Sequence, residues 1–233
     1  MSDLLDALPV RNAEPLALGP GAWLLPGYAT PQAEALLGDL LAVADAAPFR
    51  HLLTPGGATM SVAMTNCGRL GWISDARGYR YETRDPVTGE AWPALPDRFL
   101  DVSRRAAASV GYEDFSPDAC LVNRYVPGSK LSLHQDRDEL DLAAPIVSIS
   151  LGLPAVFLFG GLARNDRPRR MRLASGDVVI WGGASRLVYH GIAPLAEGNH
   201  RLTGRNRYNL TFRTVGRAPG AVRGTFVPRG MGG

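Results

Sequence analysis

In "LSLHQDRDE", residues 131–139, His134 and Asp136 stand two positions apart at the end of a run that alternates apolar and polar residues. Successive side chains of an extended chain point to opposite sides, so these two aim the same way. Each is costly to bury alone, and together they can share a cation. His-X-Asp by itself is common and is equally a pair of solvated turn groups. A third ligand strengthens the metal reading: His190 ends a later strand-like run, "RLVYHG", and strands far apart in sequence can lie side by side in a β-barrel. Two histidines and one carboxylate make a facial metal triad with adjacent coordination positions open, which oxygen chemistry requires. His51 and His200 lie beside loop residues with no carboxylate at that spacing, and both are expected at the surface.

The second chemistry-bearing stretch is "RYNLTFR", residues 207–213. As a strand it places Arg207, Asn209, Thr211 and Arg213 on one face and Tyr208, Leu210 and Phe212 on the other. The polar face could be solvent-exposed. In a helix-covered barrel, however, the apolar set packs under helices and the polar set lines a cavity. Two guanidinium groups in a cavity call for a dianion: Arg213 is expected to hold a carboxylate by a bidentate fork, with Arg207 assisting. The same alternation in "LVNRYVPG" places Leu121, Asn123 and Tyr125 on one face, so Asn123 and Tyr125 can offer hydrogen bonds inside that cavity. With the triad, these residues compose a site for a dicarboxylate on iron.

Elements must bring these residues together. Residues 30–47 begin with Thr30 as an expected N-cap and Pro31 at the first helical position, followed by Leu36, Leu37, Leu40, Leu41 and Ala44 at helical spacing until Pro48. A second amphipathic helix is expected from about Pro96 to Val110, with Phe99, Val102, Ala106 and Val110 on one stripe and Gly111 ending it. From Ala119 the period turns strand-like: short runs separated by Gly, Pro, Asp or Asn predict a β-sandwich or barrel with helices packed outside. Residues 54–92 mix Gly and polar residues with Met, Trp and Tyr, which suits a mobile cover over a site. The tail 217–233, basic and rich in Gly and Pro, is expected to be loosely ordered.

At 233 residues the chain suits one domain, placed at 1–216, and its 45% hydrophobic and 20% charged content is that of an ordinary globular protein. Net charge is +3 and nearly all of the positive charge is arginine, since Lys130 is the only lysine. This permits an anionic partner without requiring one. Cys67 and Cys120 form no CxxC pattern, so neither a disulfide framework nor a zinc-thiolate cluster is expected, and a reducing compartment fits. The acidic N-terminus is unlike a secretory signal and no apolar run is long enough to span a membrane. A cytoplasmic, monomeric protein without membrane contact is the expectation.

Over about residue 15 to Arg213, the segments "MTNCG", "PDACLVNRYVPGSKLSLHQD", "APIVSISLGLPAVF", "FGGLARND", "GDVVIWGG", "YHGI" and "RYNLTFR" resemble the bacterial AlkB family of iron(II)- and 2-oxoglutarate-dependent nucleic acid demethylases. The resemblance implies a mainly β, α+β fold: a double-stranded β-helix, or jelly roll, over about 119–214, with flanking helices and a nucleotide-recognition lid over about 54–92. It implies Fe(II) held by His134, Asp136 and His190, and 2-oxoglutarate held by Asn123, Tyr125, Arg207, Asn209 and Arg213, with O2 as the other co-substrate.

The implied reaction is direct-reversal repair: an N-alkylated base such as 1-methyladenine or 3-methylcytosine is demethylated with release of formaldehyde, succinate and CO2. Single-stranded DNA is the expected substrate, with duplex DNA and RNA besides, because a methyl on a pairing nitrogen already weakens the pair. In the lid Trp72 would stack on the base, Tyr79 reach a phosphate and Met64 fill the apolar wall; without the resemblance, loop anchoring explains Trp72 and Tyr79 equally well. Asp138 would face a cationic alkylated base, and by resemblance Arg164 also touches substrate. Two rival readings stand beside this one. The first is an oxygenase of the same fold acting on a small molecule or protein side chain, which only the lid distinguishes. The second is a non-catalytic β-barrel with a structural metal, against which the two cavity arginines speak.

Overall fold

The computed structural model describes residues 14–216. The expectation for the tail 217–233 lies outside the described residues. The chain starts with a hairpin, β1 (Leu16–Gly19) and β2 (Ala22–Leu25). α1 (Ala33–Ala46) follows a single 3-10 turn, Thr30–Gln32. Thr30 is therefore not the N-cap expected of it: the turn forms around Pro31, and Ala29 N–H donates to the Gly176 carbonyl at 2.8 Å, seating this corner on a later turn. Ala33, Leu36, Leu40 and Val43 form the buried stripe of α1, while Leu41 is exposed.

β3 (Arg50–Leu53) and β4 (Thr59–Gly68) come next, then the hairpin β5 (Gly71–Asp75) and β6 (Gly78–Glu82). α2 (Asp97–Ala108) buries Phe99, Val102, Ser103, Ala106 and Ala107, and Gly111 after it adopts φ +90°, the left-handed conformation that ends a helix. The remaining strands are β7 (Ala119–Tyr125), β8 (Leu131–His134), β9 (Ile146–Gly152), β10 (Ala155–Phe159), β11 (Arg169–Leu173), β12 (Val178–Trp181), β13 (His190–Ile192) and β14 (Arg207–Arg213). His190 thus begins its strand rather than ending one, because the preceding residues turn through a 3-10 segment at Gly183–Ser185.

The strands form an eight-stranded sheet, ordered β1-β2-β12-β9-β14-β7-β4-β3, and a four-stranded sheet, ordered β11-β10-β13-β8, with β5 and β6 paired separately. This is the jelly roll expected from the resemblance. Period two sorts the core into two layers. Cys120, Val122, Tyr208, Leu210 and Phe212 point to one side of the large sheet and pack with Leu36, Leu40, Phe99, Val102 and Ala106 of the helices. Leu121, Tyr125, Ile146, Phe157, Phe159 and Trp181 point to the other and fill the space between the sheets. The strict alternation of β14 therefore has the predicted cause. Truncating a residue such as Phe212, fully buried against Phe99 with ring centroids 5.9 Å apart, would cost about 3–5 kcal/mol.

One expected segment is corrected. Residues 54–92 are not a single cover: β4 occupies 59–68 within the eight-stranded sheet, paired with β3 and β7. β5 and β6 form a separate two-stranded sheet. β1 to β4 extend the large sheet beyond the strands of 119–214. No helix among the described residues is long and apolar enough to cross a membrane.

Candidate active site

A cavity of about 590 Å³ opens between the two sheets. Its lining includes every site residue expected from the sequence: Met64, Trp72, Tyr79, Asn123, Tyr125, His134, Asp136, Asp138, Arg164, His190, Arg207, Asn209 and Arg213.

β8 and β13 run antiparallel with His134 directly opposite His190. The following position, Gly191, makes this close pairing possible, since a Cβ there would meet the Leu131 carbonyl at 2.6 Å. Asp136 lies just past the end of β8. One ligand atom from each of the three lies within 4.8 Å of the others; His134 Nε2 is 3.6 Å from Asp136 Oδ1 and His190 Nε2 is 3.8 Å from Asp136 Oδ2. Each imidazole places Nδ1 against a backbone carbonyl, Ser132 at 2.9 Å and Val188 at 3.1 Å. An Nδ1–H donating there leaves each Nε2 lone pair aimed at the carboxylate, the arrangement a metal-binding histidine needs. Burial, and then the neighbouring His134, push the His190 pKa down to about 4, so this imidazole is neutral and able to ligate at neutral pH.

Burial would raise the Asp136 carboxyl, but the Arg213 guanidinium and the two imidazoles overcome it and hold the group well below the usual carboxylate range. Arg213 donates to Asp136 Oδ2 from Nη2 at 2.7 Å and from Nε at 3.1 Å, with Glu139 Oε1 3.3 Å from Nε. The carboxylate-gripping fork expected of Arg213 is thus already engaged, by the protein's own Asp136. Glu139 also accepts from Arg186, which donates to the Asp136 carbonyl at 2.6 Å. Sequence reasoning missed Glu139 and Arg186; a charged residue's burial leaves no mark on a local pattern.

Arg207 is different. It is fully buried, its guanidinium lies 5.0 Å above the Tyr125 ring, and Nη2 donates to Ser150 Oγ at 3.0 Å. Nε and Nη1 have no hydrogen-bond partner among the described residues, and neither has Asn123 Oδ1 nearby in the lining. Burial lowers the Arg207 pKa, with Tyr125 opposing. A buried cation with no acidic partner among the described residues, and carrying free donors, fits an anionic ligand. Asn209, in contrast, is used inside the sheet: Nδ2 donates to Ser148 Oγ at 2.7 Å and to the Ile149 carbonyl at 3.1 Å, and Oδ1 accepts from Thr211 at 2.9 Å.

At the mouth, Trp72 and Tyr79 stack on each other, ring centroids 5.5 Å apart and planes 14° apart. Asn66 fixes Trp72 through both backbone groups, accepting its N–H and donating to its carbonyl, each at 3.0 Å. Trp72 Nε1 donates to Asp138 Oδ2 at 3.0 Å, so one oxygen of the carboxylate expected to face a cationic base is occupied and Oδ1 is left over. Arg164 reaches over the Tyr189 ring at 5.8 Å. His51 is exposed, as expected.

Residues 21–213 match the 2OG-Fe(II) oxygenase superfamily. The chain is 60% identical over 218 residues to the alpha-ketoglutarate-dependent dioxygenase AlkB of Escherichia coli, covering 93% of this chain and 99% of that protein. It is 34% identical over 160 residues to the tRNA demethylase abh1 of Schizosaccharomyces pombe, covering 63% of this chain and 53% of that one. The solved structure of OsALKBH1 superposes with a TM-score of 0.75 at 29% identity, covering 86% of this chain and 99% of that chain.

Proposed function

The chain belongs to the bacterial AlkB family within the 2OG-Fe(II) oxygenase superfamily, and from that premise we propose that it repairs N-alkylated bases of nucleic acid by oxidative demethylation. It is an Fe(II)- and 2-oxoglutarate-dependent dioxygenase. The observation that carries the substrate reading is that one cavity joins the His134–Asp136–His190 triad, the uncompensated Arg207 and the stacked Trp72–Tyr79 pair.

His134, Asp136 and His190 would hold the metal through two Nε2 lone pairs and a carboxylate oxygen. With 2-oxoglutarate and O2, bound iron supplies the oxidising power to hydroxylate an N-methyl carbon, the co-substrate leaving as succinate and CO2. Arg207 would take the far carboxylate of 2-oxoglutarate through Nε and Nη1, beside the free end of Asn123 and the Tyr125 ring. Arg213 and Asn209, which line the same cavity, would complete the 2-oxoglutarate site, Arg213 while also holding Asp136 anionic and Asn209 while bracing Ser148. The hydroxymethylated base then breaks its N–C bond, the hydroxyl proton passes to the departing nitrogen, and formaldehyde leaves.

Trp72 offers one face to an extruded base while Tyr79 covers the other. Methylation at adenine N1 or cytosine N3 makes the base cationic, and Asp138 Oδ1 stands close to the platform to meet it. Arg164, Tyr79 and Lys130 line the same cavity and suit the phosphates on either side. Single-stranded DNA is the substrate this reading favours, with duplex DNA and RNA also accepted, by a cytoplasmic monomer whose single domain spans 1–216 with the hairpin as its lid. The test is succinate formation stimulated by a methylated oligonucleotide over its unmethylated counterpart; equal formation with both would leave an oxygenase acting on some other substrate.

A further inference from the structure

Three carboxylates in five residues of the loop after β8 point three ways. Asp136 faces the two histidines. Asp138 accepts from Trp72 Nε1 at 3.0 Å, and Glu139 accepts from the Tyr81 hydroxyl at 2.5 Å. Trp72 and Tyr81 are directly opposed partners across the β5–β6 hairpin, so this loop grips the hairpin at two neighbouring points. Glu139 is itself buried, its side chain 2% exposed, as is Arg186 at 4%. Its Oε2 takes Arg186 Nη2 at 3.0 Å while Oε1, besides Tyr81, lies 3.3 Å from Arg213 Nε.

Counting charge in this buried cluster, the Asp136 and Glu139 anions balance the Arg186 and Arg213 cations. Without the Glu139 charge the cluster would carry a surplus cation, held within contact of Asp136 by Arg213 and Arg186, beside the position of a divalent metal. Like charges in a low-dielectric interior interact strongly, so the surplus would weaken metal binding. Resting on the reading of Asp136 as a metal ligand, we propose that Glu139 is a positioning residue with two offices: its Oε1 anchors the hairpin that carries Trp72, and its charge frees Asp136 to face a divalent cation. The base platform and the metal site are thereby registered to one buried carboxylate.

The two offices separate by substitution in the full-length protein. Mn(II) titrated in the presence of 2-oxoglutarate reads the metal site, and hydrogen exchange over residues 71–82 reads the hairpin. Glu139→Gln should weaken Mn(II) binding by about tenfold or more and speed hairpin exchange by about tenfold, the scale of a hydrogen bond to a charged group. Tyr81→Phe should speed hairpin exchange and leave Mn(II) affinity at the wild-type value. Glu139→Asp, which keeps the charge and loses the reach, should behave as Tyr81→Phe does. Should Glu139→Gln not fold, the other two variants decide. The proposal is overturned if Glu139→Gln binds Mn(II) as the wild type does, if Glu139→Asp weakens it as a lost charge would, or if Tyr81→Phe leaves hairpin exchange unchanged. A wild-type protein that takes up no Mn(II) overturns the metal-site reading itself, and this proposal with it.

Discussion

His134 and His190 meet as directly opposed residues of antiparallel β8 and β13, their ring centroids 4.4 Å apart. Strand register brings His190 to the local His134–Asp136 pair: a one-residue slip between β8 and β13 would send one imidazole to the other face of the small sheet.

The three triad residues differ in what their loss does to the fold. The His134 side chain is 34% exposed, so His134→Ala should abolish metal-dependent turnover while shifting metal-free stability by less than about 1 kcal/mol. Asp136→Ala should abolish turnover too, but it strips Arg213 of its main counter-charge and should cost about 3–5 kcal/mol. Metal titration and denaturant unfolding of the metal-free variants check this, and equal stability losses would remove the Arg213–Asp136 pair from the account.

Arg207 carries the 2-oxoglutarate expectation. Arg207→Met should raise the 2-oxoglutarate concentration needed for half-maximal turnover by on the order of a hundredfold, since two charge-assisted hydrogen bonds are lost. It should leave stability unchanged or improved, because a buried unpaired charge is removed. Steady-state kinetics and thermal unfolding measure both, and a variant with wild-type 2-oxoglutarate dependence would mean that the anion sits elsewhere.

Trp72→Ala should lose about 1–3 kcal/mol of affinity for a methylated single-stranded oligonucleotide, the range of one base–aromatic stack, with Mn(II) and 2-oxoglutarate binding retained. Affinity for both proteins should fall as salt rises, as phosphate contacts require. Fluorescence anisotropy at several salt concentrations reports both. Equal affinity for wild type and variant would remove the platform from the account.

Asp85, on the loop after the hairpin, is buried and takes both oxygens to Arg50 of β3, with Nη1–Oδ1 at 2.7 Å. The hydrogen bond from Arg50 lowers its pKa against the opposing effect of burial. A depressed carboxyl contributes stability that is fully present above its unfolded value of about 3.9 and is lost as pH falls through the folded value. Asp85→Asn should therefore cost about 1–3 kcal/mol at pH 7, and the gap to wild type should close as pH drops below about 4. Urea unfolding across pH tests this; a gap independent of pH would assign the loss to packing.

The parts of this arrangement that repeat along the chain were legible in the sequence. Alternation in β14 separated Arg207, Asn209 and Arg213 from Tyr208, Leu210 and Phe212, and the structure separates the same two sets. The helix stripes at Leu36, Leu40, Phe99 and Val102 were equally plain because burial follows their spacing. The first four strands were not foreseen: β1 to β3 are four residues each, too short for a period to declare itself, and β4 has a continuous buried run rather than an alternating one. Pairing choices were also invisible. That Arg213 also forks onto Asp136, and that Asn209 also braces Ser148, depends on which neighbours long-range folding delivers.

The most direct test of the central claim is to incubate the protein with Fe(II), 2-oxoglutarate, ascorbate and a single-stranded oligonucleotide bearing one 1-methyladenine or 3-methylcytosine, and to weigh the strand by mass spectrometry while counting succinate. The predicted result is loss of the methyl group from the strand, formaldehyde in equal amount, succinate in matching or modest excess, and no loss with His190→Ala. A strand that keeps its methyl group while wild-type protein forms succinate at the same rate with or without it would contradict the account.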